Sequence, residues 1–313
     1  MNVAHLELLR ELAVRGSLAA VAAATHRTPS ALSQQLRTAE RELGVRLVER
    51  AGRGLRLTPE GELLAASADE VTAVLAEVQA RLDAARGQPR GRVRVGGLPS
   101  ASTALLPALV TRLRDRDVVL ELEDFDLAEA EYASRTLDCD VVIAHSLTAD
   151  FPVGSDGLVR RVLTDEPIDV ALPEGHPLTE HVVLTPDLLR GTVWIGVPVG
   201  YPFDTILLTV ERATGEDLER RFRVKDNQLV AELVRAGAGL ALLPRFTTST
   251  GRGLVLRPLT GVRSHRALSA LARPDRYARR AVQAVVDELT AIGASLDEPR
   301  RAGAVRRRPR RRG

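Results

Sequence analysis

Apolar residues near the start of the chain recur at helical spacing: Leu6, Leu8, Leu9, Leu12 and Ala13 lie along residues 4–14. Gly16 stops that helix. Ser17 is placed to cap the next one, SLAAVAAAT, whose inward stripe is Leu18, Val21 and Ala22. After a break at His26 and Arg27, Thr28 reads as an N-cap. Pro29 fits the first helical position, where a missing N–H is no loss. The third helix buries Leu32, Leu36, Ala39 and Leu43 and ends at Gly44. VRLVERAGRGLRLT follows, two short alternating runs around a glycine-rich tip, which predicts a β-hairpin. Pro59 then opens a helix running to about Arg86. Along it Leu64, Ala68, Val71, Leu75, Val78 and Leu82 keep the spacings 4, 3, 4, 3 and 4. That is a heptad seam, and its simplest partner is a second copy of itself. GQPRG, residues 87–91, reads as a linker.

Beyond the linker the period changes. RVRVGG, VVLELED and CDVVIAHS read as strands, with the helix TALLPALVTRLRDR after the first and a helical stretch after the second. This β-α-β-α-β order implies a parallel sheet with helices on its faces. From about residue 158 the pattern restarts. LVRRVLTDEPIDVALPEGHPL supplies strands and a turn, TPDLL a short helix, TVWIGV a strand, YPFDTILLTVERAT a helix, RFRV a strand and NQLVAELVRAG a helix. LALLP, LVLRPL and RALSALAR read as strands, and PDRYARRAVQAVVDELTAIG as a closing helix. The expected units are residues 1–58, the helix 59–87 and an α/β domain 91–292. Within that domain about 91–162 and 264–292 form one subdomain and about 163–263 the other. The Arg-rich segment 293–313 reads as a disordered tail.

Composition narrows the classes. A chain of 313 residues fits two or three domains, and with 3% aromatics its core must be built from Leu, Val and Ala. One cysteine, Cys139, excludes an intrachain disulfide and a Cys-cluster metal site. No run approaches the roughly 20 apolar residues of a membrane span, and the N-terminus lacks a signal-peptide pattern, so the expected location is the cytoplasm. The net charge of +3 is unevenly spread: residues 1–58 hold nine arginines against five glutamates, and residues 300–313 hold eight arginines and no acid. Basic ends around an acidic middle suit a polyanionic partner held at the ends.

Two short helices joined by a tight turn, the second capped at Thr28, make a helix-turn-helix, whose second helix enters the major groove. Its face fits that use. Pro29, Ser30, Ser33 and Gln34 are short or amide-bearing and sit on the first turns, where base edges are read. Thr28 and the helix N-terminus offer N–H groups to a phosphate, and Arg37 and Arg41 would meet the backbone. The bland alternative is a solvated surface helix. Arg50, Arg53 and Arg56 place charge on the hairpin, suited to an adjacent minor groove or to phosphates, and otherwise an ordinary basic hairpin.

GSLAAVAAATHRTPSALSQQLRTAERELGVRLVERAGRGLRLTPEG resembles the winged helix-turn-helix of LysR-type transcriptional regulators. RVRVGGLPSASTALLPALVTRLRDR, CDVVIA and VRAGAGLALLP resemble the effector-binding domain of that family. The resemblance implies an α+β multidomain fold: an N-terminal winged helix-turn-helix, a long linker helix and a C-terminal α/β periplasmic-binding-protein-like domain of two subdomains. It also implies a homodimer or homotetramer built through the linker helix, a double-stranded DNA operator that is an interrupted near-palindrome, and a small-molecule effector in the cleft. Leu9, Leu18 and Val48 stand where the family usually has aromatics, and these are core exchanges.

Ligands of open α/β sheets bind beyond the carboxyl ends of strands and at helix N-termini. LPSAST follows a strand and precedes a helix, so Ser100, Ser102 and Thr103 can offer hydroxyls and N–H groups to an anionic or zwitterionic effector, or can simply cap the helix. The resemblance adds His145, Ser146, Pro198, Phe203, Asp226 and Asn227 to the candidate pocket. For His145 the ordinary alternative is a satisfied loop histidine. Nothing points to catalysis, a cofactor or a metal: no phosphate loop or nucleophile elbow is present, the six histidines are scattered, and Asp165, Glu166 and Asp169 have no visible partners. The competing class is an α/β small-molecule-binding domain or enzyme with an accessory, non-specific DNA-binding module. The tail reads either as a sequence-independent anchor on nucleic acid or as a tolerated extension.

Overall fold

The computed structural model describes residues 2–305 apart from 26, 52, 53, 85–88, 126 and 252; at 79, 80, 83, 84 and 297–305 it describes the backbone alone. Three helices open the chain, α1 (Val3–Arg15), α2 (Leu18–Thr25) and α3 (Pro29–Leu43). They meet through their apolar stripes. Leu8, Leu9 and Leu12 of α1, Val21 and Ala22 of α2, and Leu32, Leu36 and Ala39 of α3 close on Leu47 and Leu57 in one buried cluster. Emptying one such position, as in Leu32→Ala, would cost ~2–5 kcal/mol. Gly16 turns the chain between α1 and α2 at a φ of 69°, where a side chain would be strained. The Ser17 hydroxyl then caps α2 by accepting from the Ala20 N–H at 3.1 Å.

Strands β1 (Val48–Ala51) and β2 (Gly54–Leu57) form the antiparallel hairpin, with Val48 opposite Leu57 and Ala51 opposite Gly54. The long helix α4 (Pro59–Ala84) leaves it directly. Gly61 makes that exit possible, since a Cβ there would sit 2.2 Å from the Leu47 carbonyl oxygen. The expected end of α4 near 86–87 lies outside the described residues. Gly91, read from sequence as linker, opens the next strand.

The rest of the chain runs β3 (Gly91–Gly97), α5 (Pro99–Arg112), β4 (Val118–Asp124), α6 (Tyr132–Arg135), β5 (Val141–Ser146), β6 (Val159–Pro173), β7 (Val193–Gly196), α7 (Pro202–Thr214), β8 (Glu219–Arg223), α8 (Asn227–Arg235), β9 (Leu240–Pro244), β10 (Leu254–Arg257), β11 (His265–Ala272), α9 (Pro274–Tyr277) and α10 (Arg280–Val305). Their sheet has the order β4-β3-β5-β11-β6-β9-β7-β8, with β10 also on β6. As the β-α-β-α-β order predicts, β3 is parallel to β4 and β5. In the second unit β7 is parallel to β8 and β9. TPDLL forms a single 3-10 turn, Pro186–Leu189.

Three expectations shift. First, VRRVLTDEPIDVALP is one strand, β6, and it serves both subdomains. Leu163 enters the first core, with Val93, Val95, Ile143, Leu268 and Val285. Ile168, Val170 and Leu172 enter the second, with Trp194, Val210 and Leu240. Second, β6 changes its pairing partner at 167/168, a few residues beyond the expected 162/163 boundary. Pairing with β11 ends at Pro167 opposite His265, and pairing with β9 begins at Ile168 opposite Pro244. At that point the two crossings are stitched together: Ile168 N–H donates to the Ser264 carbonyl at 2.9 Å, and the Ser264 hydroxyl donates to the Ile168 carbonyl. Third, the closing helix does not stop at 292. Ile292 and Leu296 extend its stripe against the first core, and α10 continues to Val305, so the tail begins as helix. Residues 306–313 lie outside the described residues.

Candidate DNA-reading face and effector cleft

Thr28 caps α3, its hydroxyl accepting from the Ala31 N–H at 3.2 Å and lying 3.1 Å from the Ser30 hydroxyl. Pro29, Ser30, Gln34, Arg37 and Arg41 are exposed along α3, because the Leu32, Leu36 and Ala39 stripe holds the opposite side in the core. Ser33 is half-buried, and its hydroxyl accepts from Arg37 Nη1 at 2.9 Å, so these two side chains are tied to each other in the free chain. On the hairpin Arg50 is exposed. Arg56 is committed across the ladder, its Nε donating to Glu49 at 3.0 Å. Arg53 lies outside the described residues.

The heptad seam of α4 divides into two parts. Ala68 is wholly buried within its own chain, so it is not available to a second one, and Leu64 is half-buried against the α1–α3 core. The reason is that α4 is also the floor of the N-terminal unit. Val71, Leu75, Val78 and Leu82 are exposed, joined by Leu63 and Val74.

The cleft between the two subdomains holds a cavity of about 890 Å³, within the rough 300–1,000 Å³ range of small-molecule sites. Three helix N-termini open onto it: Leu98, Pro99 and Ser100 at α5, Tyr201, Pro202 and Phe203 at α7, and Asp226, Asn227 and Gln228 at α8. No side chain caps α5 or α7, whose first turns, opened by Pro99 and Pro202, lie in the cavity wall. At α8 the cap is Asp226, which accepts from the Leu229 N–H at 2.7 Å.

Arg266 is the centre of the wall. It is 2% exposed, and its Nε and Nη2 donate to one Glu166 oxygen at 2.8 and 2.6 Å. Nη2 also donates to the Ser100 hydroxyl at 2.9 Å, and the guanidinium carbon lies 5.7 Å from the Phe203 ring centre. The other Glu166 oxygen accepts from the Phe246 N–H at 3.0 Å. One guanidinium therefore joins Ser100 of the first subdomain to Glu166 and Phe203 of the crossing strand and the second. His145 lies beside it, edge-on to Tyr132 with ring centres 5.5 Å apart, and its Nδ1 is buried with no hydrogen-bond partner. Burial, reinforced by the Arg266 charge, pulls its imidazole down to about 3, so it is neutral. Lys225 Nζ sits 4.2 Å from the Tyr201 ring centre at the rim.

Of the effector residues expected from sequence, Ser100, Thr103, His145, Phe203, Asp226 and Asn227 line the cavity. Three others do not. Ser102 points inward, where its Oγ would lie 3.1 Å from a Cβ on Gly97. Ser146 spends its hydroxyl on the turn after β5, accepting from Thr148 and Ala149 N–H groups at 3.3 and 3.1 Å. Pro198 gives its carbonyl to the Tyr201 N–H, and its neighbours Val197 and Tyr201 line the wall instead. Asp165, Glu166 and Asp169, unpaired by sequence reading, are partnered by His265, Arg266 and Arg245. Among the described residues no cluster of His, Cys, Asp and Glu could hold a metal, and no helix is long and apolar enough to cross a membrane.

Two family models match this chain. Residues 3–62 match the bacterial regulatory helix-turn-helix protein of the lysR family, and residues 86–293 match the LysR substrate binding domain. The chain is a LysR-type transcriptional regulator. Among its relatives, the DNA-binding transcriptional dual regulator OxyR of Escherichia coli K12 is 28% identical over 307 residues, spanning 95% of this chain and 96% of that one. The regulator MetR of Salmonella typhimurium is 30% identical over 269 residues, spanning 83% and 81%. Two solved structures share the fold of the whole regulator. One is a full-length OxyR variant from Pseudomonas aeruginosa, with TM-score 0.66, 22% identity and coverage of 92% and 94%. The other is full-length CbnR in complex with its target DNA, with TM-score 0.53, 19% identity and coverage of 94% and 100%.

Sequence reading of the regulator missed Arg266, Tyr132, Lys225 and Tyr201. RALSALAR reads as a buried strand, and the arginine at its start is the signal that was there to use: arginine is almost never fully buried unless paired.

Proposed function

We propose that the cleft of this regulator takes a small organic carboxylate, anionic or zwitterionic, and that its binding changes how paired DNA-reading units sit on an interrupted near-palindromic operator. The observation carrying this reading is the convergence of three helix N-termini and the Arg266 guanidinium on one cavity. The α5 and α7 N-termini, which no side chain caps, favour negative charge and Arg266 adds donors, while Glu166 balances the charge of Arg266 and Asp226 already occupies the α8 N-terminus. Asp226 and Glu232 on the same wall supply the counterpart for an ammonium group. The test is a thermal-shift panel of small carboxylates, each paired with its primary amide. Stabilisation by acids and not by their amides supports the reading. Stabilisation by neutral compounds alone removes it.

Relatives of the chain include peroxide-inducible activators. We read a different signal here. The only cysteine, Cys139, is buried, and desolvation with Glu123 beside it pushes its thiol up to about 12. A peroxide-reactive cysteine needs an accessible thiolate. Peroxide treatment should leave the Cys139 thiol titre unchanged, and rapid loss of that thiol would contradict the reading.

On the DNA side, Thr28, Pro29, Ser30, Ser33 and Gln34 would meet base edges and phosphate. Arg37, Arg41, Arg50, Arg53 and Arg56 would meet the backbone, once DNA releases Arg37 from Ser33 and Arg56 from Glu49. The chain acts in the cytoplasm as a homodimer or homotetramer and catalyses no reaction in this reading. A salt-titrated binding assay on the DNA upstream of its gene, against a shuffled fragment, tests it. Ser33→Ala/Gln34→Ala should erase the margin between the two fragments.

A further inference from the structure

Two charge contacts join the DNA-reading unit to the effector domain within one chain. Arg15, the last residue of α1, donates through Nη2 to Asp138 Oδ1 at 2.7 Å, while Arg135 Nη1 holds the other Asp138 oxygen at 3.1 Å. On α4, Asp69 Oδ1 lies 3.0 Å from both Arg10 Nη1 of α1 and Arg273 Nη2. Arg273 is buried and is braced by both oxygens of Asp275 at 2.9 and 3.0 Å.

These contacts fall at particular places in the sheet. Asp138 stands just before β5, and Arg273 just after β11. The two strands are antiparallel neighbours, in register from Ala267 opposite Ser146 to Leu271 opposite Val142. Their opposite ends carry His145 and Arg266, both in the cavity wall. Each strand therefore runs from the cavity to a contact with the DNA-reading unit, a span of roughly 23 Å for seven residues. Both strands are buried along nearly their whole length. A hydrogen-bonded pair inside a close-packed core compresses little, so a displacement at one end is felt at the other.

We propose that β5 and β11 form a strut that carries effector occupancy at His145 and Arg266 to the Arg15–Asp138 and Arg10–Asp69–Arg273 contacts, setting how firmly the DNA-reading unit is held against its own effector domain. The strut rests on the cleft being the effector site. Its test uses no ligand, so a wrong effector class leaves the result untouched.

Hydrogen–deuterium exchange on the full-length chain is the measurement, because coupling between distant sites has to be demonstrated and not inferred from position. Arg266→Lys perturbs the cavity end while keeping its charge. It should speed exchange at α5 and also, roughly threefold or more, in Glu11–Arg15 and around Asp69. In an Asp69→Asn/Asp138→Asn background, Glu11–Arg15 should already exchange faster, and Arg266→Lys should add nothing there. If Arg266→Lys unfolds the domain, Ser100→Ala, which removes only the hydroxyl that Arg266 holds, takes its place under the same criterion. The proposal is overturned if the cavity variant alters exchange at the cleft alone. It is equally overturned if α1 responds by the same factor with the contacts cut, or if cutting them leaves α1 unchanged.

Discussion

The neutral His145 makes a measurable claim about acid stability. In the folded chain its imidazole is held down at about 3, first by burial and then by the Arg266 charge, against an ordinary value of 6.5. The unfolded chain takes up a proton near 6.5 while the folded chain refuses it, so the unfolded state binds more protons throughout that window. Stability is therefore full above about pH 7 and is lost as the pH falls from 6.5 towards 3. The slope approaches ~1.4 kcal/mol per pH unit, which integrates to about 2 kcal/mol between pH 7 and pH 5. His145→Phe keeps a flat ring against Tyr132 and removes the titration. The assay is urea unfolding of wild type and variant at pH 7, 6 and 5, followed by far-UV circular dichroism. Other titrating groups are common to both proteins, and any constant packing cost of the variant cancels in the pH difference. Wild type should lose about 2 kcal/mol more than the variant over that range. Parallel losses would refute a buried neutral imidazole.

Glu166→Ala strands the buried Arg266 charge and should cost roughly 3–5 kcal/mol, whereas Arg266→Met/Glu166→Leu should recover most of it. Emission from Trp194, the only tryptophan and wholly buried in the second core, reports the transition in urea, and a double variant no better than the single would contradict the pairing argument. Thr28→Ala removes the α3 cap and should destabilise the DNA-reading unit by about 1 kcal/mol, read as faster exchange in Ser30–Leu32; unchanged exchange there would show that the cap does not hold the helix start. Leu75→Glu/Val78→Glu places charge on the exposed face of α4 and should lower the mass seen by light scattering, and an intact oligomer would assign assembly elsewhere. Deleting residues 300–313 removes eight arginines and should flatten the salt dependence of all DNA binding; an unchanged slope leaves the segment as a tolerated extension.

What a sequence shows of this molecule depends on how local the cause is. The Leu32, Leu36 and Ala39 stripe, the Thr28 cap and the Gly16 turn are written within a few residues, and the helices stand where that grammar puts them. The candidate pocket is half-legible for the same reason. Ser100 and Asp226 sit at helix starts that periodicity locates, whereas Glu166 and Arg266 meet across 100 residues of chain. Ser102 and Ser146 fail as pocket residues through rotation alone: Ser100 and Thr103 on the same first turn, and His145 one residue earlier on the strand, line the cavity while these two do not. Leu64 obeys the heptad but packs on the N-terminal core, and Ala68 obeys it but is already buried within its own chain, because one apolar face served two neighbours and the spacing does not distinguish them.

The stitch between Ile168 and Ser264 has a practical corollary. The segment between these residues leaves the frame and returns to it at adjacent points, so its two ends can be severed and rejoined together. It brings Tyr201, Phe203, Lys225, Asp226 and Asn227 to the cavity, while the frame keeps Ser100, His145 and Arg266. Residues 168–264 thus form a transplantable cassette. Exchanging it for the matching segment of a relative would replace most of the cavity lining and leave untouched the DNA-reading helix and the charges at Arg15, Asp69, Asp138 and Arg273. New biosensors built on this chassis would need only two junctions, both at one spot on the sheet.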